Sequence, residues 1–368
     1  MIKLLFLFSL SVSIFSCQKG IDMVPVNMTI SDSELVQLKS SQGIKSVPSN
    51  YYNKLFTRFN AGTWTGGDVA TSLLLPDGRS FWLFGDSFID TVFADRRRPF
   101  KAFIHNSIVI TSPSGSFQSL YNGTAVNPKP YFDTIAPILL WPSCGFVNSA
   151  KNNLYVMMVT IKILPGGGMF GFETVGNTVG EISLQDLSLK RQFNFSRSAK
   201  IDWASACFVE DEFVYLYGVE SVTYDKHVHL CRTSSANPFQ TVQYFDGSNW
   251  VDDSLKSARL LKGVSEQFSF FKYKNKYYLL SQESTFLSAD IYIWDAQSPV
   301  GPFSNKRKIY HTPETVGNVI TYNASAHPEL MVDEMLLVGY CNNSINGVDI
   351  FNNADNYRPY FIWVNNWQ

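Results

Sequence analysis

Phe81-Trp82-Leu83-Phe84-Gly85 is a short apolar run rich in aromatic residues that follows the turn-forming Leu75-Pro76-Asp77-Gly78-Arg79. A run of the same kind returns as Leu154-Tyr155-Val156-Met157-Met158, Val214-Tyr215-Leu216-Tyr217-Gly218, Tyr277-Tyr278-Leu279-Leu280-Ser281 and Leu336-Leu337-Val338-Gly339-Tyr340. The spacing is roughly 60 to 70 residues, and a unit of this size cannot bury its own faces, so it must stack on its neighbours. In each unit an alternating apolar strand precedes the quoted run across a short polar turn.

A third alternating run follows each second strand: Asn106–Ile110, Asn177–Ile182, His227–Cys231, Asp290–Trp294 and Tyr360–Val364. A more polar fourth strand fits at Phe117–Leu120, Lys190–Phe193, Thr241–Tyr244 and Lys306–Tyr310, and the last unit lacks one. The apolar segment Lys54–Phe59 is expected to supply it, which closes the ring by pairing the N-terminal part of the chain with the C-terminal part and removes the last open edge. The pattern predicts an all-β chain: a five-bladed β-propeller of four-stranded blades over residues 51–368. Asp77-Gly78 and Lys274-Asn275-Lys276 fall where hairpins must reverse.

The composition fits one large all-β domain: 368 residues, 45% hydrophobic and 15% aromatic, with a formal charge of −1. That charge argues against a nucleic-acid partner, whose backbone would call for a basic surplus. Arg96-Arg97-Arg98, the only dense basic run, is expected to be a solvated loop, with recognition of an anionic group as the other reading. At the start, Lys3 precedes an apolar stretch, Leu4–Phe15, too short to span a bilayer, and Ile14-Phe15-Ser16 leads into Cys17. This resembles a bacterial lipobox. The resemblance implies a signal peptide over residues 1–17, lipidation of Cys17, and a protein held outside the cytoplasm by its anchor, with the outer membrane or cell surface favoured. Residues 18–50 are then a flexible spacer.

The remaining cysteines, Cys144, Cys207, Cys231 and Cys341, have no CxxC spacing and no paired histidines, which argues against structural zinc. Cys207 and Cys231 fall on strands two apart, about 9 to 10 Å, beyond disulfide reach. All four are expected to be buried free thiols.

The innermost strands of a propeller begin around one axial pocket. The residues at those points are Trp64-Thr65-Gly66-Gly67-Asp68, Trp141-Pro142-Ser143-Cys144-Gly145, Asp202-Trp203-Ala204, Ser265-Glu266-Gln267 and Tyr322-Asn323 with Ala326-His327-Pro328-Glu329. Three blades bring Asp68, Asp202 and Glu266 near the axis. Carboxylates that meet in a cleft raise one another's pKa, leaving one as acid and another as base near neutral pH. Aromatic faces beside them suit a sugar ring. The candidate catalytic residues are Asp68, Asp202 and Glu266. The candidate substrate contacts are Trp64, Asp86, Asn106, Trp141, Trp203, Gln267, Asn323 and His327. His327 is open to two roles, a contact to substrate or to an axial ion or water, and a structural histidine. Asp86 is likewise open, because Gly85-Asp86-Ser87 also suits a bulge or turn.

The run Trp64–Asp68, with Leu75-Pro76-Asp77-Gly78-Arg79, Phe84-Gly85-Asp86-Ser87-Phe88, Ser265-Glu266-Gln267-Phe268-Ser269, Ser298–Phe303 and Ala326–Leu330, resembles a family of glycoside-hydrolase-like five-bladed propellers. That family is a domain of unknown function numbered 4185, and the resemblance covers roughly Asn60 to Asn343. It implies a link to endo-acting enzymes on D-arabinofuranose polymers and, more distantly, to the family 43 arabinanases and xylosidases. Carried over, Asp68 would be the general base or nucleophile, Glu266 the general acid, and Asp202 the group that orients and tunes the acid. The chain departs from family 43 in blade two, where Cys144-Gly145 stands in place of an acidic residue.

No GxSxG or HExxH pattern occurs, and Pro165-Gly166-Gly167-Gly168 lies between strands as a surface loop rather than a phosphate loop. A phosphorylase would need cations at the axis, and the axial segments carry none apart from His327. The sequence thus points to a monomeric extracytoplasmic glycoside hydrolase acting on a polysaccharide, with an arabinan-type furanosyl polymer favoured and no cofactor, an axial ion near His327 left open. The competing reading is a non-catalytic propeller that binds glycan or a partner.

Overall fold

The computed structural model describes residues 30–40, 42–99, 102–166, 171–196, 200–223, 225–284 and 288–368. The expected signal peptide with Cys17, the first part of the expected spacer, and Gly167 and Gly168 of the glycine-rich loop lie outside the described residues.

The alternation read from the sequence becomes five blades, each an antiparallel meander. Strand β1, Lys45–Pro48, precedes them. Blade one is β2 (Gly66–Leu74), β3 (Ser80–Phe88), β4 (Ser107–Thr111) and β5 (Phe117–Leu120). Blade two is β6 (Ile138–Val147), β7 (Asn153–Ile163), β8 (Phe172–Ser183) and β9 (Leu189–Ser196). Blade three is β10 (Ile201–Glu210), β11 (Phe213–Val222), β12 (Asp225–Ser234) and β13 (Val242–Phe245). Blade four is β14 (Phe268–Tyr273), β15 (Lys276–Gln282), β16 (Asp290–Ala296) and β17 (Ser304–His311). Blade five is β18 (Val319–Val332), β19 (Met335–Ser344) and β20 (Pro359–Asn365), completed by β1. The apolar faces of adjacent blades interlock. Phe81, Leu83, Ile108 and Ile110 of blade one, for example, share a cluster with Leu154, Val156, Met158 and Ile182 of blade two.

The ring closes through an N-terminal strand, but not the expected one. Lys45–Pro48 pairs with β20, Val47 opposite Trp363. Lys54 instead falls in the helix Asn50–Leu55, whose N-cap Ser49 accepts from the Tyr52 amide. Tyr52 and Phe56, four residues apart, share one face and plug the seam between blades five and one. The Phe56 ring lies 4.9 Å from Trp82 and stacks on Phe361 at 5.2 Å. The apolarity of Lys54–Phe59 thus serves a plug rather than a strand.

The second part of the expected spacer is also folded. Helix Asp32–Lys39 starts with a capping box between Ser31 and Glu34, and it lies on the closing seam, where Asn365 Nδ2 donates to the Leu38 carbonyl at 3.2 Å. Among the described residues, no helix is long and apolar enough to cross a membrane. The basic run is a solvated loop only at Arg97, which is exposed with its partner Asp95. Arg96 pairs with Asp355 at 2.9 Å, Arg97 with Asp95 at 2.7 Å, and Arg98 is buried with its guanidinium 3.9 Å from the Phe88 ring centre. Together Arg96 and Arg98 tie the blade-one loop to the segment that enters β20.

Phe56→Ala should cost about 3–5 kcal/mol, because it empties the seam. Val36→Ser, on the 70% exposed side of the first helix, should stay within about 0.5 kcal/mol of wild type. Urea unfolding of both variants checks this, and equal costs would contradict the plug.

Candidate active-site cleft

The innermost strands deliver the site through irregularities in their pairing. In blade one, Gly67 pairs with Ser87 and Val69 with Phe84, so Asp68 faces the two residues Gly85 and Asp86 across a bulge. Val69 and Ala70 then have φ of 72° and 51°. Left-handed backbone is costly for a β-branched residue, and it turns this part of the strand out of its regular pleat. In blade two Ser143 is the extra residue, since Met157 pairs with Cys144 and Met158 with Pro142. Blade three shifts between Asp202 and Ala206, and blade five between Tyr322 and Ser325, with Asn323 at φ 53°.

These bulges surround a cleft of about 880 Å³. Its lining includes Asp68 and Asp86 of blade one, Trp141 of blade two, Asp202 of blade three, Glu266 and Gln267 at the entry to blade four, and Tyr322 and Asn323 of blade five. Seven of the residues singled out from sequence are therefore brought together: Asp68, Asp86, Trp141, Asp202, Glu266, Gln267 and Asn323.

Asp68 is the most perturbed of them. Its carboxyl is pushed up to about 7, first by burial and then by the negative charge of Asp86. Tyr322 Oη donates to Asp68 Oδ2 at 2.8 Å and opposes that rise, as does Tyr357 from the loop before β20. Asp86 is held in place by two donors at 3.1 Å, Trp141 Nε1–H and the Nδ1–H of His105. Across the cleft, burial raises Asp202 to about 6 against two donors, Asn177 Nδ2 at 2.7 Å and the Ala204 amide at 3.0 Å, with the Glu266 charge adding a smaller push. Glu266 stands differently: its side chain is 55% exposed, with Lys226 Nζ at 3.2 Å and Ser221 Oγ at 3.2 Å.

The cleft has two unlike sides. Blade two offers an apolar one, with Trp141 edge-on to Phe172 at 4.9 Å beside Pro142, Val159 and Ile161. Blades three and four offer a charged one with Lys200, Asp202, Lys226 and Glu266. The lack of cations expected from the axial segments therefore does not extend to the whole cleft, because Lys200 and Lys226 enter from neighbouring segments.

Four expected contacts are placed elsewhere. Trp64 is fully buried against Phe84, ring centres 4.5 Å apart, and Trp203 packs edge-on to Tyr244 at 5.3 Å. Both precede or fall within the bulges, where strand alternation points them into the core. Asn106 is a buried strut that donates to the Phe132 and Leu140 carbonyls at 3.0 and 2.9 Å and accepts from the Phe132 amide. His327 is sealed between Trp82 and Phe361, bonded through Nδ1 to Ser72 Oγ at 2.6 Å, and burial holds it down at about 3. It is the structural histidine of the two roles read from sequence. Among the described residues, no group of three or more His, Cys, Asp or Glu side chains is placed to hold a metal ion.

Several residues that line the cleft, Tyr357 and Lys226, or that hold its carboxyls from behind, Asn177 and His105, carried no assigned role in the sequence. Asn177 had a usable signal, because it heads the third apolar run read in its unit as Asn106 does in the first. Tyr357, His105 and Lys226 come from loops or outer strands, where the repeat has no fixed register.

A family model described as a domain of unknown function (DUF5005) matches residues 49–367. Among solved structures, a Bacteroides ovatus ATCC 8483 protein provisionally described as a hydrolase matches over 94% of this chain and 97% of its own, at 22% identity and a TM-score of 0.78, which shows a shared fold. An exo-β-1,3-galactanase from Phanerochaete chrysosporium is more distant, at 12% identity and a TM-score of 0.46 over 83% of this chain and 63% of its own. An α-L-arabinofuranosidase from Podospora anserina, in complex with cellotriose, stands at 12% identity and 0.47 over 84% and 92%. No curated protein matches the chain.

Trp64→Ala and Trp203→Ala should each cost about 3–5 kcal/mol in urea unfolding. Trp141→Ala, which leaves the core intact, should cost clearly less. Similar losses for all three would contradict the separation of core from cleft tryptophans.

Proposed function

The chain belongs to the DUF5005 family, and from the chemistry of its cleft we propose that it is a glycoside hydrolase that cleaves a polysaccharide by carboxyl acid/base catalysis. The observation that carries this is the Asp68 carboxyl, protonated up to about pH 7 beside the charge of Asp86, in the same cleft as Asp202. Two carboxyl groups with environments that separate their roles are what glycosidic cleavage requires.

Asp68 has the higher pKa and gives its proton to the leaving oxygen. Asp202 is ionised above about 6 and acts on the opposite side of the sugar ring, on water or on the anomeric carbon. This exchanges the roles carried over from the resemblance, in which Asp68 was the base and Glu266 the acid. Glu266, half in solvent and paired with Lys226, is suited to binding sugar hydroxyls at the rim. Trp141 offers an apolar face to a ring while its Nε1–H fixes Asp86, so stacking and acid/base chemistry are joined at one residue. The family model that matches is DUF5005 and not the one numbered 4185 that the sequence was read as resembling; an arabinan-type furanosyl polymer is the favoured substrate on the wider resemblance to glycoside-hydrolase-like propellers, and a lipid anchor at Cys17 would present the cleft outside the cytoplasm.

Release of oligosaccharides from an arabinan-type panel tests the proposal. Asp68→Asn and Asp202→Asn should each lower kcat by about a hundredfold or more, while Glu266→Gln should act mainly on KM. Activity should fall as pH drops through about 6, where Asp202 gains its proton, and as pH rises through about 7, where Asp68 loses it. Undiminished release by a variant carrying both Asp68→Asn and Asp202→Asn, or tight binding of a panel member with no cleavage by wild type, would overturn it.

A further inference from the structure

A chain of hydrogen bonds with a fixed direction runs from the backbone of blade five to the Asp68 carboxyl of blade one. Ahead of the shift that follows Tyr322, β18 and β19 pair regularly, with Ile320 opposite Asn343 and Tyr322 opposite Cys341. Tyr322 and Asn343 are therefore diagonal neighbours on one face of the ladder, within reach of each other's side chains, and both line the cleft. Asn343 Oδ1 accepts from the Ser344 amide at 2.7 Å. A backbone N–H only donates, so this contact fixes which end of the Asn343 amide is oxygen and turns its NH2 toward Tyr322. Asn343 Nδ2 donates to Tyr322 Oη at 3.3 Å, and Tyr322 Oη donates to Asp68 Oδ2 at 2.8 Å.

The phenol has a single proton to place. A neighbour that only donates gives that proton no partner on the Asn343 side, so the hydroxyl accepts there and donates toward Asp68. An acceptor at the same place would draw the proton away and turn a lone pair toward Asp68, which favours the protonated carboxyl. Bonds in series also polarise one another, so each donor strengthens the next.

We propose that Asn343 is a positioning residue for the cleft: by donating to Tyr322 Oη it commits the phenol proton to Asp68 Oδ2. A donated hydrogen bond favours the carboxylate, so Asn343 acts through Tyr322 against the rise that burial and Asp86 impose on Asp68. The other groups that face this pair are Asp86 of β3, Tyr357 from the loop before β20, and the Cys341 thiol of β19. The catalytic meaning of the chain rests on the proposed role of Asp68 as acid. Its direction does not, and the test reads the carboxyl itself.

Carboxyl-carbon NMR titration of the full chain with labelled aspartates, the Asp68 signal identified by its loss in Asp68→Asn, compares wild type with two variants. Asn343→Leu keeps the volume but neither donates nor accepts, and should raise the proton affinity of Asp68 about two- to threefold. Asn343→Asp replaces the donor by an acceptor with a charge, and should raise it about tenfold. In a Tyr322→Phe background the Asn343→Leu effect should vanish, and the Asn343→Asp effect should fall to less than half, leaving only the action of the new charge through space. In wild-type background the alkaline limb of any glycosidase pH profile should move up with the same variants. An Asp68 titration unmoved by both variants, or an Asn343→Leu effect that persists without the Tyr322 hydroxyl, would overturn the proposal. A chain that cleaves no glycan would contradict the catalytic reading and leave this test intact.

Discussion

The cleft depends on broken pairing at one end of the innermost strands. A regular strand would continue to send alternate side chains into the core, and Asp68 would lie in step with Trp64 and Ala70. The bulge opposite Gly85 and Asp86, followed by left-handed Val69 and Ala70, changes that phase. Left-handed backbone at residues other than glycine costs of order 1–3 kcal/mol per position, and persists only where packing enforces it. Here the enforcement is visible. Both residues are buried, and Gly85 leaves the space that Asp68 needs, because a Cβ there would come within 2.5 Å of Asp68 Oδ1.

Once the bulge brings Asp68 and Asp86 side by side, the electrostatics follow. The chain as a whole is nearly neutral, so no long-range field sets the site. What acts is local: burial together with a neighbouring charge raises Asp68, and the Tyr322 and Tyr357 hydroxyls limit that rise. Asp202 meets the same burial but is answered by Asn177 and the Ala204 amide, and stays lower. Two carboxyls of one residue type thereby acquire different proton affinities from their partners alone. The Trp141 indole serves both sides of this arrangement, packing with Phe172 and holding Asp86.

The blades were legible in the sequence because alternation and turn residues act over a few residues, and the aromatic second strands repeat the signal in every blade. The closing strand was not. Lys45–Pro48 is four residues long with only Val47 buried, which is too little for a periodic signal, whereas Lys54–Phe59 is apolar for a different reason, the packing of Phe56 into the seam. The same physics divides the site. Asp68 and Asp202 could be found because an acidic residue at the head of an apolar strand is expensive to bury without a purpose. Trp64 and Trp203 were misplaced because a bulge reverses which residues face the axis, and a bulge leaves little trace in composition. His327 shows the converse, a polar residue taken up into the core by Ser72 and by rings on two sides.

The central claim is that Asp68 keeps its proton to about pH 7 and that Asp86 contributes to this. A carboxyl-carbon NMR titration of selectively labelled aspartates, in wild type and in Asp86→Asn, measures it directly. The account predicts one aspartate titrating near 7 in the wild type, and a lower value for the same carboxyl once the Asp86 charge is removed. If every aspartate in the wild type titrates below about 5, within the ordinary range for the residue, the cleft does not hold the acid that the account assigns to it.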